Sequence, residues 1–399
     1  MPAGAAGVLR AVACMVALGL ALNASACGGS SSPRVAAPHA RGDQRTASPA
    51  DRLSLRQQVG QLLVLSFHGE RPPGYVENIL RHRTAAGVIL TADNVGSPGQ
   101  LRALTASLQR AGRGSVLIST DQEGGAVRIV PFAGPSSGQP AETTPGGVGA
   151  AARTAARELR DLGVNLNLAP VADVAPSGAS AVRGRAFAGA PAQVAALVAA
   201  AVRGAAHGGG AATLKHFPGF GRADANTDDR PVTIQASAAA LRAGDLVPFR
   251  AGIAAGVPVV MAAHALYPGV DSRNIASQSP VLLQRILRDE LGFRGVVITD
   301  SLEARAVIRR SSVDEAAVRS VAAGADLVLM TGPGSYRLVF PRLLREARRS
   351  AAFRRRVREA AGRVLELERR LGLRRTRAPV SRGPRSHLLD ANPAVVGPR

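Results

Sequence analysis

The sequence has no tryptophan, and aromatic residues make up only 3% of its 399 positions. Any sizeable core must therefore be filled by Ala, Val and Leu, and the hydrophobic fraction of 46% is enough to do so. Cysteine occurs only at Cys14 and Cys27, which excludes the disulfide scaffold of a small secreted domain. There is no HExxH stretch and no paired Cys/His ligand spacing, so neither a metal nor a cofactor is expected. Zinc-finger spacing, an RNP-like aromatic motif and an isolated basic arm are all lacking, so nucleic acid is not an expected partner. The scarcest charged residue is lysine: Lys215 stands alone against 49 Arg. GC-rich codon usage drives Lys towards Arg, so a lysine that persists needs a physical reason.

The net charge of +22 has two readings. One is a solvated surface biased by Arg codons. The other is attraction to an anionic surface such as phospholipid or cell-wall polymer.

The N-terminus reads as an export signal. Arg10 precedes the apolar run AVACMVALGLALNASAC, which is too short for a confident membrane span. The run ends in Ala24-Ser25-Ala26-Cys27, which resembles a bacterial lipobox although Ala24 replaces the usual Leu. The expectation is removal of residues 1–26, lipidation of Cys27 and an extracytoplasmic protein anchored to the cell membrane. The alternative is ordinary cleavage and a soluble secreted chain. Residues 27–52 read as a flexible tether, 53–372 as one folded domain and 373–399 as a disordered basic tail. A monomer is expected.

Within 53–372, short apolar runs at 62–67, 87–91, 115–120, 164–168, 212–216, 259–263, 295–299 and 326–330 alternate with amphipathic stretches. Most runs are continuous, as parallel strands covered on both faces require. Helical stretches fall at 191–207, 237–255, 281–291 and 353–371. Eight strand–helix units predict an α/β fold of the (β/α)8 barrel type. A doubly wound open sheet is the alternative, but no strand candidate is followed by a dinucleotide or P-loop glycine fingerprint.

A parallel barrel works from the C-terminal ends of its strands. Polar residues gather where those ends should lie: Asp93, Asp121, Asp173, Lys215, His216, His264 and Asp300. Charge beside apolar strands is costly unless it is paired or used. Asp173 and His264 are read as structural, one satisfying loop backbone and the other buried and hydrogen-bonded. Asp121, Lys215, His216 and Asp300 are read together as a site. A Ser–His–Asp hydrolase is disfavoured because no GxSxG elbow is expected. Two carboxyl groups in a polar, sugar-sized cleft suit glycoside chemistry.

Four ordered motifs then carry a resemblance: DQEGG (121–125), GRAF (184–187), KHFPG (215–219) and GVVITDSL (295–302). Together they resemble the N-terminal barrel domain of family 3 glycoside hydrolases, in particular the bacterial β-N-acetylglucosaminidase branch. The resemblance implies a single barrel domain, with Asp300 as catalytic nucleophile. It implies that Asp121, Arg185, Lys215 and His216 grip the hydroxyls of the non-reducing-end sugar. A compact three-donor ammonium fits between adjacent hydroxyls where a planar guanidinium does not, which accounts for Lys215. That branch carries KHFPGHG and, four residues on, Asp-Ser-His, whose His is the general acid/base. Here Phe220 and Asn226-Thr227-Asp228 occupy those positions, and Ala126 and Ile129 stand where the branch carries Arg. Asp228 is therefore expected to act as acid/base, its pKa raised by the adjacent Asp229. The loop 219–231 is expected to close over substrate. The expected activity is a retaining exo-β-glycosidase for β-N-acetylglucosaminides from cell-wall turnover. The alternative is a glycan-binding lipoprotein that keeps the grip and has lost turnover.

Overall fold

The computed structural model describes residues 48–176, 178 and 180–373. The expected signal segment, Cys27, the tether up to 47 and the tail from 374 lie outside the described residues.

Eight strands form a closed barrel: β1 (Leu63–Leu65), β2 (Gly87–Leu90), β3 (Leu117–Thr120), β4 (Leu166–Asn167), β5 (Ala211–Phe217), β6 (Val259–Ala262), β7 (Val296–Ser301) and β8 (Leu327–Met330). Neighbours in sequence are neighbours in space, all pairs are parallel, and β8 closes on β1. Every apolar run marked in the sequence overlaps one of these strands. β4 is shorter than its run, although the Leu168 N–H still donates to the Thr120 carbonyl and Val171 still bridges Lys215.

Strand period sets the packing. On β1, Leu63 and Leu65 face the outer helices while Val64 points into the barrel. The interior is filled by side chains such as Ile89, Leu117, Leu166, Val259, Ile298 and Leu329, so aliphatics do the work that aromatics do in other cores. Outside, the helices start on local signals. Pro98 and Pro145 occupy first turns, and the hydroxyls of Ser97 and Thr144 accept the N–H groups of Gln100 and Gly147. The helix Pro191–His207 fills its predicted range and meets the helix Pro145–Asp161 at Gly204, where a β-carbon would lie 2.2 Å from the Gly149 carbonyl oxygen. The segments 238–254 and 281–290 are helical, with wide π-type turns at Leu241–Asp245 and Val281–Glu290.

The last helix, Ala351–Arg370, closes the N-terminal end of the barrel. Its Val364 and Leu367, with Leu371, join the barrel interior, and Arg356 donates to the carbonyls of Gly324 and Ala325 just ahead of β8. Pro49–Arg52 form a turn against this helix through the Asp51–Arg358 ion pair. No helix among the described residues is long and apolar enough to cross a membrane.

Candidate active site

The C-terminal ends of the strands surround a cleft of about 420 Å³, wide enough for a pyranose. Asp121, Arg185, Lys215, His216, Asp228 and Asp300 all line it, so every site residue expected from the sequence converges there.

One wall is built from β3, β5 and the loop carrying Arg185. Lys215 Nζ lies 2.6 Å from Asp121 Oδ1 and 2.6 Å from Glu123 Oε1. Arg185 forks onto the same Glu123, with Nε 2.9 Å from Oε2 and Nη2 2.6 Å from Oε1. Glu123 was not among the expected site residues, yet it joins both cations of this wall. Strand period gave a signal for it: two residues after Asp121, it shares that residue's face. Burial pushes the Glu123 carboxyl up, but Lys215 and then Arg185 outweigh it and hold the pKa at about 2. Burial also opposes the Lys215 ammonium, but Asp121 and Glu123 outweigh it and raise its pKa. Lys215 is only 2% exposed, and Asp121 and Glu123 occupy two of its three donor directions, leaving one for a ligand. Asp121 and Arg185 are more open, with side chains 32% and 28% exposed.

His216 stands beside Lys215 with its Nδ1 2.8 Å from Asp173 Oδ2. Asp173 is fully buried and also accepts the N–H groups of His216 and Phe220, at 3.1 and 2.6 Å. It satisfies loop backbone, as expected, and in addition fixes the imidazole with Nε2 left for the cleft. His264 is buried as expected, its ring nitrogens held by the Ser277 hydroxyl and the Ser301 carbonyl.

The opposite wall is acidic. Asp300, near the end of β7, accepts the Ser301 N–H at 2.8 Å. Burial pushes its carboxyl up, but His216, His264, Ser301 and Lys215 outweigh that and hold it below the usual carboxylate range. Asp228 reaches the cleft from the loop after β5, keeping part of its surface in solvent. Desolvation first, then the Asp300 carboxylate, push its pKa up, while Asp229 contributes less. The charge that perturbs Asp228 most is thus on a different strand of the same wall and not next in sequence. Glu303 also lines this wall. One of its oxygens accepts from Ser301 Oγ and from the Thr331 N–H and hydroxyl, while Oε1 is buried without a partner.

The loop after β5 is already docked. Gly219 has φ +125° and gives its carbonyl to the Tyr267 hydroxyl. A β-carbon at Gly221 would lie 1.9 Å from the Val174 carbonyl oxygen, so only glycine fits against that segment. Further along, Ala306 N–H donates to Thr227 O at 3.0 Å, and Ile234 and Leu266 pair through backbone. Phe220, at the position of the branch's second His, is buried with its ring edge-on to His216. The hairpin after β3 turns Arg128 away, its Nε donating to the Ala133 carbonyl, and presents Val127 and Ile129 to the cleft.

Residues 134–138 spell G-x-S-x-G, but they form a loop in which the Ser136 carbonyl accepts the Gly125 N–H, not a strand-to-helix elbow. Among the described residues no group of three His, Cys, Asp or Glu side chains is arranged to hold a metal ion. A separate apolar cavity of about 70 Å³ lies outside the cleft, walled by the helices Pro145–Asp161 and Pro191–His207.

Comparison with known proteins agrees with this geometry. A β-hexosaminidase of Xanthomonas oryzae pv. oryzae is 37% identical over 288 residues, covering 68% of this chain and 84% of its own. One from Stenotrophomonas maltophilia is 38% identical over 284 residues with the same coverage. Among solved structures, a glycoside hydrolase family 3 β-N-acetylglucosaminidase from Paenibacillus superposes with a TM-score of 0.77 at 34% identity, covering 85% of this chain and 66% of that one. A β-N-acetylhexosaminidase from Beutenbergia cavernae superposes with a TM-score of 0.74 at 31% identity, covering 79% and 98%. The family model of the glycosyl hydrolase family 3 N terminal domain matches residues 54–367, and with its closed parallel barrel and carboxylate-lined rim the chain belongs to that family of glycoside hydrolases.

Proposed function

We propose that the chain is a retaining exo-glycosidase that removes terminal β-linked N-acetylglucosamine or a related β-glycoside. The observation that carries this reading is the split between two carboxylates in one cleft, with Asp300 held below its ordinary pKa and Asp228 pushed above it. Carboxyl groups with separated pKa values can divide the roles of nucleophile and acid. The names of the similar hexosaminidases support the choice of sugar.

In this mechanism Asp121, Arg185, Lys215 and His216 hold the hydroxyls of the terminal sugar. The ionised Asp300 attacks the anomeric carbon. Protonated Asp228 gives its proton to the glycosidic oxygen, and the C–O bond to the leaving group breaks. The glycosyl-enzyme ester on Asp300 is then opened by water, whose proton passes to the ionised Asp228. Two inversions give net retention, with the reacting carboxyls about 5–5.5 Å apart in the productive state. The docked loop holds Asp228 at the rim before substrate arrives.

Aryl glycosides with good leaving groups test the reading because they need little acid assistance. Wild type should hydrolyse them and Asp300→Ala should not. If neither does, while both bind the sugar, the chain is a glycan-binding protein that has lost turnover. If Asp228→Ala leaves poor-leaving-group substrates unaffected and Glu303→Gln abolishes their turnover, the acid is Glu303.

Lipidation of Cys27, and so an extracytoplasmic chain held at the membrane close to wall-derived substrate, is part of the same proposal. It is supported by the lipobox-like residues Ala24-Ser25-Ala26-Cys27. Cys27→Ser should abolish labelling of the chain by a fatty acid probe, and unchanged labelling would refute the assignment.

A further inference from the structure

Part of the charge excess noted in the sequence forms a patch at one end of the barrel. The helix Ser335–Arg349 begins beside the cleft, where Gly332 packs against Glu303. Its 15 residues span about 22 Å back along the barrel wall. Ser350 ends it and caps the next helix, Ala351–Arg370, which closes the N-terminal end of the barrel. Around that junction Arg345, Arg348, Arg349, Arg354 and Arg355 are all exposed. Among the described residues none of the five makes an ion pair, and only Arg354 has a hydrogen-bond acceptor, the Ala347 carbonyl.

The nearby carboxylates cannot neutralise this patch, because each is already engaged. Arg342 holds Glu346, Arg356 holds Glu359, and Arg369 and Arg370 hold Glu366, while Glu368 is turned inward and buried. Further in, one buried carboxylate, Asp326, is shared by Arg288, Arg356 and Arg363. This end of the barrel therefore carries surplus positive charge both at its surface and beneath it.

Chain geometry gives the patch a direction. The described chain enters at Ser48, which shares a groove with Arg294, Arg363 and Arg370 at the N-terminal ends of β6 and β7. It leaves at Leu373, packed against the apolar cluster of the barrel interior that the last helix completes. Cys27 lies 21 positions before Ser48, and Arg374, Arg375 and Arg377 follow directly after Leu373. Both ends of the described chain therefore leave on the arginine side, and the cleft opens at the opposite rim.

We propose that this arginine face is a docking surface for the anionic headgroups of a phospholipid bilayer, seating the barrel so that its cleft points away from the membrane. Each arginine near an anionic leaflet adds attraction that simple proximity to the bilayer does not supply. A single acyl chain gives only reversible binding, and a basic patch is the kind of second contact that makes it stable. The face acts whether or not Cys27 is lipidated, and independently of the chemistry in the cleft.

Flotation of the full chain with vesicles of phosphatidylglycerol or of phosphatidylcholine tests the idea. Binding should favour phosphatidylglycerol and weaken steeply with added salt. Replacing Arg345, Arg348, Arg349, Arg354 and Arg355 by Glu should weaken that binding by about a thousand-fold or more. Replacing the rim residues Arg305, Arg309 and Arg310 by Glu should leave most of it intact. Thermal melts of both variants check that the barrel is retained. Equal losses per reversed charge in the two variants would mean overall charge acts and not this face. No preference for phosphatidylglycerol, or retention only on isolated wall polymer, would likewise overturn the proposal.

Discussion

The two walls of the cleft treat charge in opposite ways. On the side of β3 and β5, two carboxylates and two cations interlock, with Glu123 and Lys215 almost wholly buried. On the side of β7 and the loop after β5, Asp300, Asp228 and Glu303 face the cavity, and no Lys or Arg among the described residues pairs with them. The compensated wall is electrostatically finished before a ligand arrives, so it can present hydroxyl partners in fixed positions. On the second wall, desolvation and the Asp300 charge raise the pKa of Asp228, while, against burial, His216, His264, the Ser301 N–H and Lys215 hold that of Asp300 down. In the proposed mechanism, binding belongs to the first wall and proton transfer to the second.

Removing the proposed nucleophile should break the comparison most sharply. Asp300→Ala should lower kcat on the order of 10^4-fold or more while leaving sugar affinity measurable, as read by steady-state kinetics and titration with product.

On the other wall, Glu123→Gln should leave Lys215 and Arg185 without their shared counter-charge and cost about 3–5 kcal/mol in denaturant unfolding. The pH dependence gives the sign. The folded pKa of Glu123 is about 2, below its unfolded value of 4.5, so its contribution is fully present above pH 4.5 and fades as pH falls towards 2. The variant should lack that part of the acid transition in a melt series, and an unchanged profile would count against the buried network.

A smaller effect is expected from Asp228→Asn, about 10²–10⁴-fold on substrates with poor leaving groups and far less on activated aryl glycosides. Because Asp300 must be ionised and Asp228 protonated, wild-type activity should fall at low pH as Asp300 gains its proton. It should fall again as pH rises through the raised pKa of Asp228. The variant should lose the second limb.

Lys215→Arg is the mildest test. The larger, planar guanidinium must fit where Nζ sits 2.6 Å from two carboxylates, at a cost of about 1–3 kcal/mol in stability or sugar affinity. A variant with an unchanged KM would show that point-charge geometry is not what keeps the lysine.

The fold was legible because apolar runs at 62–67, 87–91 and 295–299 carry both the strand signal and the signal of burial on two faces. Asp121, Lys215 and Asp300 were legible for a related reason: charge set against such runs has few places to go but the rim. Glu123 and Glu303 were passed over although each lies two or three residues from a chosen aspartate. Their roles depend on partners 62 to 92 positions away in one case and on Thr331 in the other, and local pattern holds no record of those partners. Asp173 was read as a backbone acceptor, which it is, but its hold on His216 required two loops to meet.

The sequence by itself determined the barrel, the order of its strands and most of the polar groups at their ends. It did so because hydrophobic period and the cost of stranding charge in an apolar core are local rules. Only the tertiary structure decided which charges neutralise one another. Coulomb energy depends on distance in space, and chain separation does not report it. That is why Asp300 rather than Asp229 perturbs Asp228 most, and why one glutamate binds the cations of a whole wall.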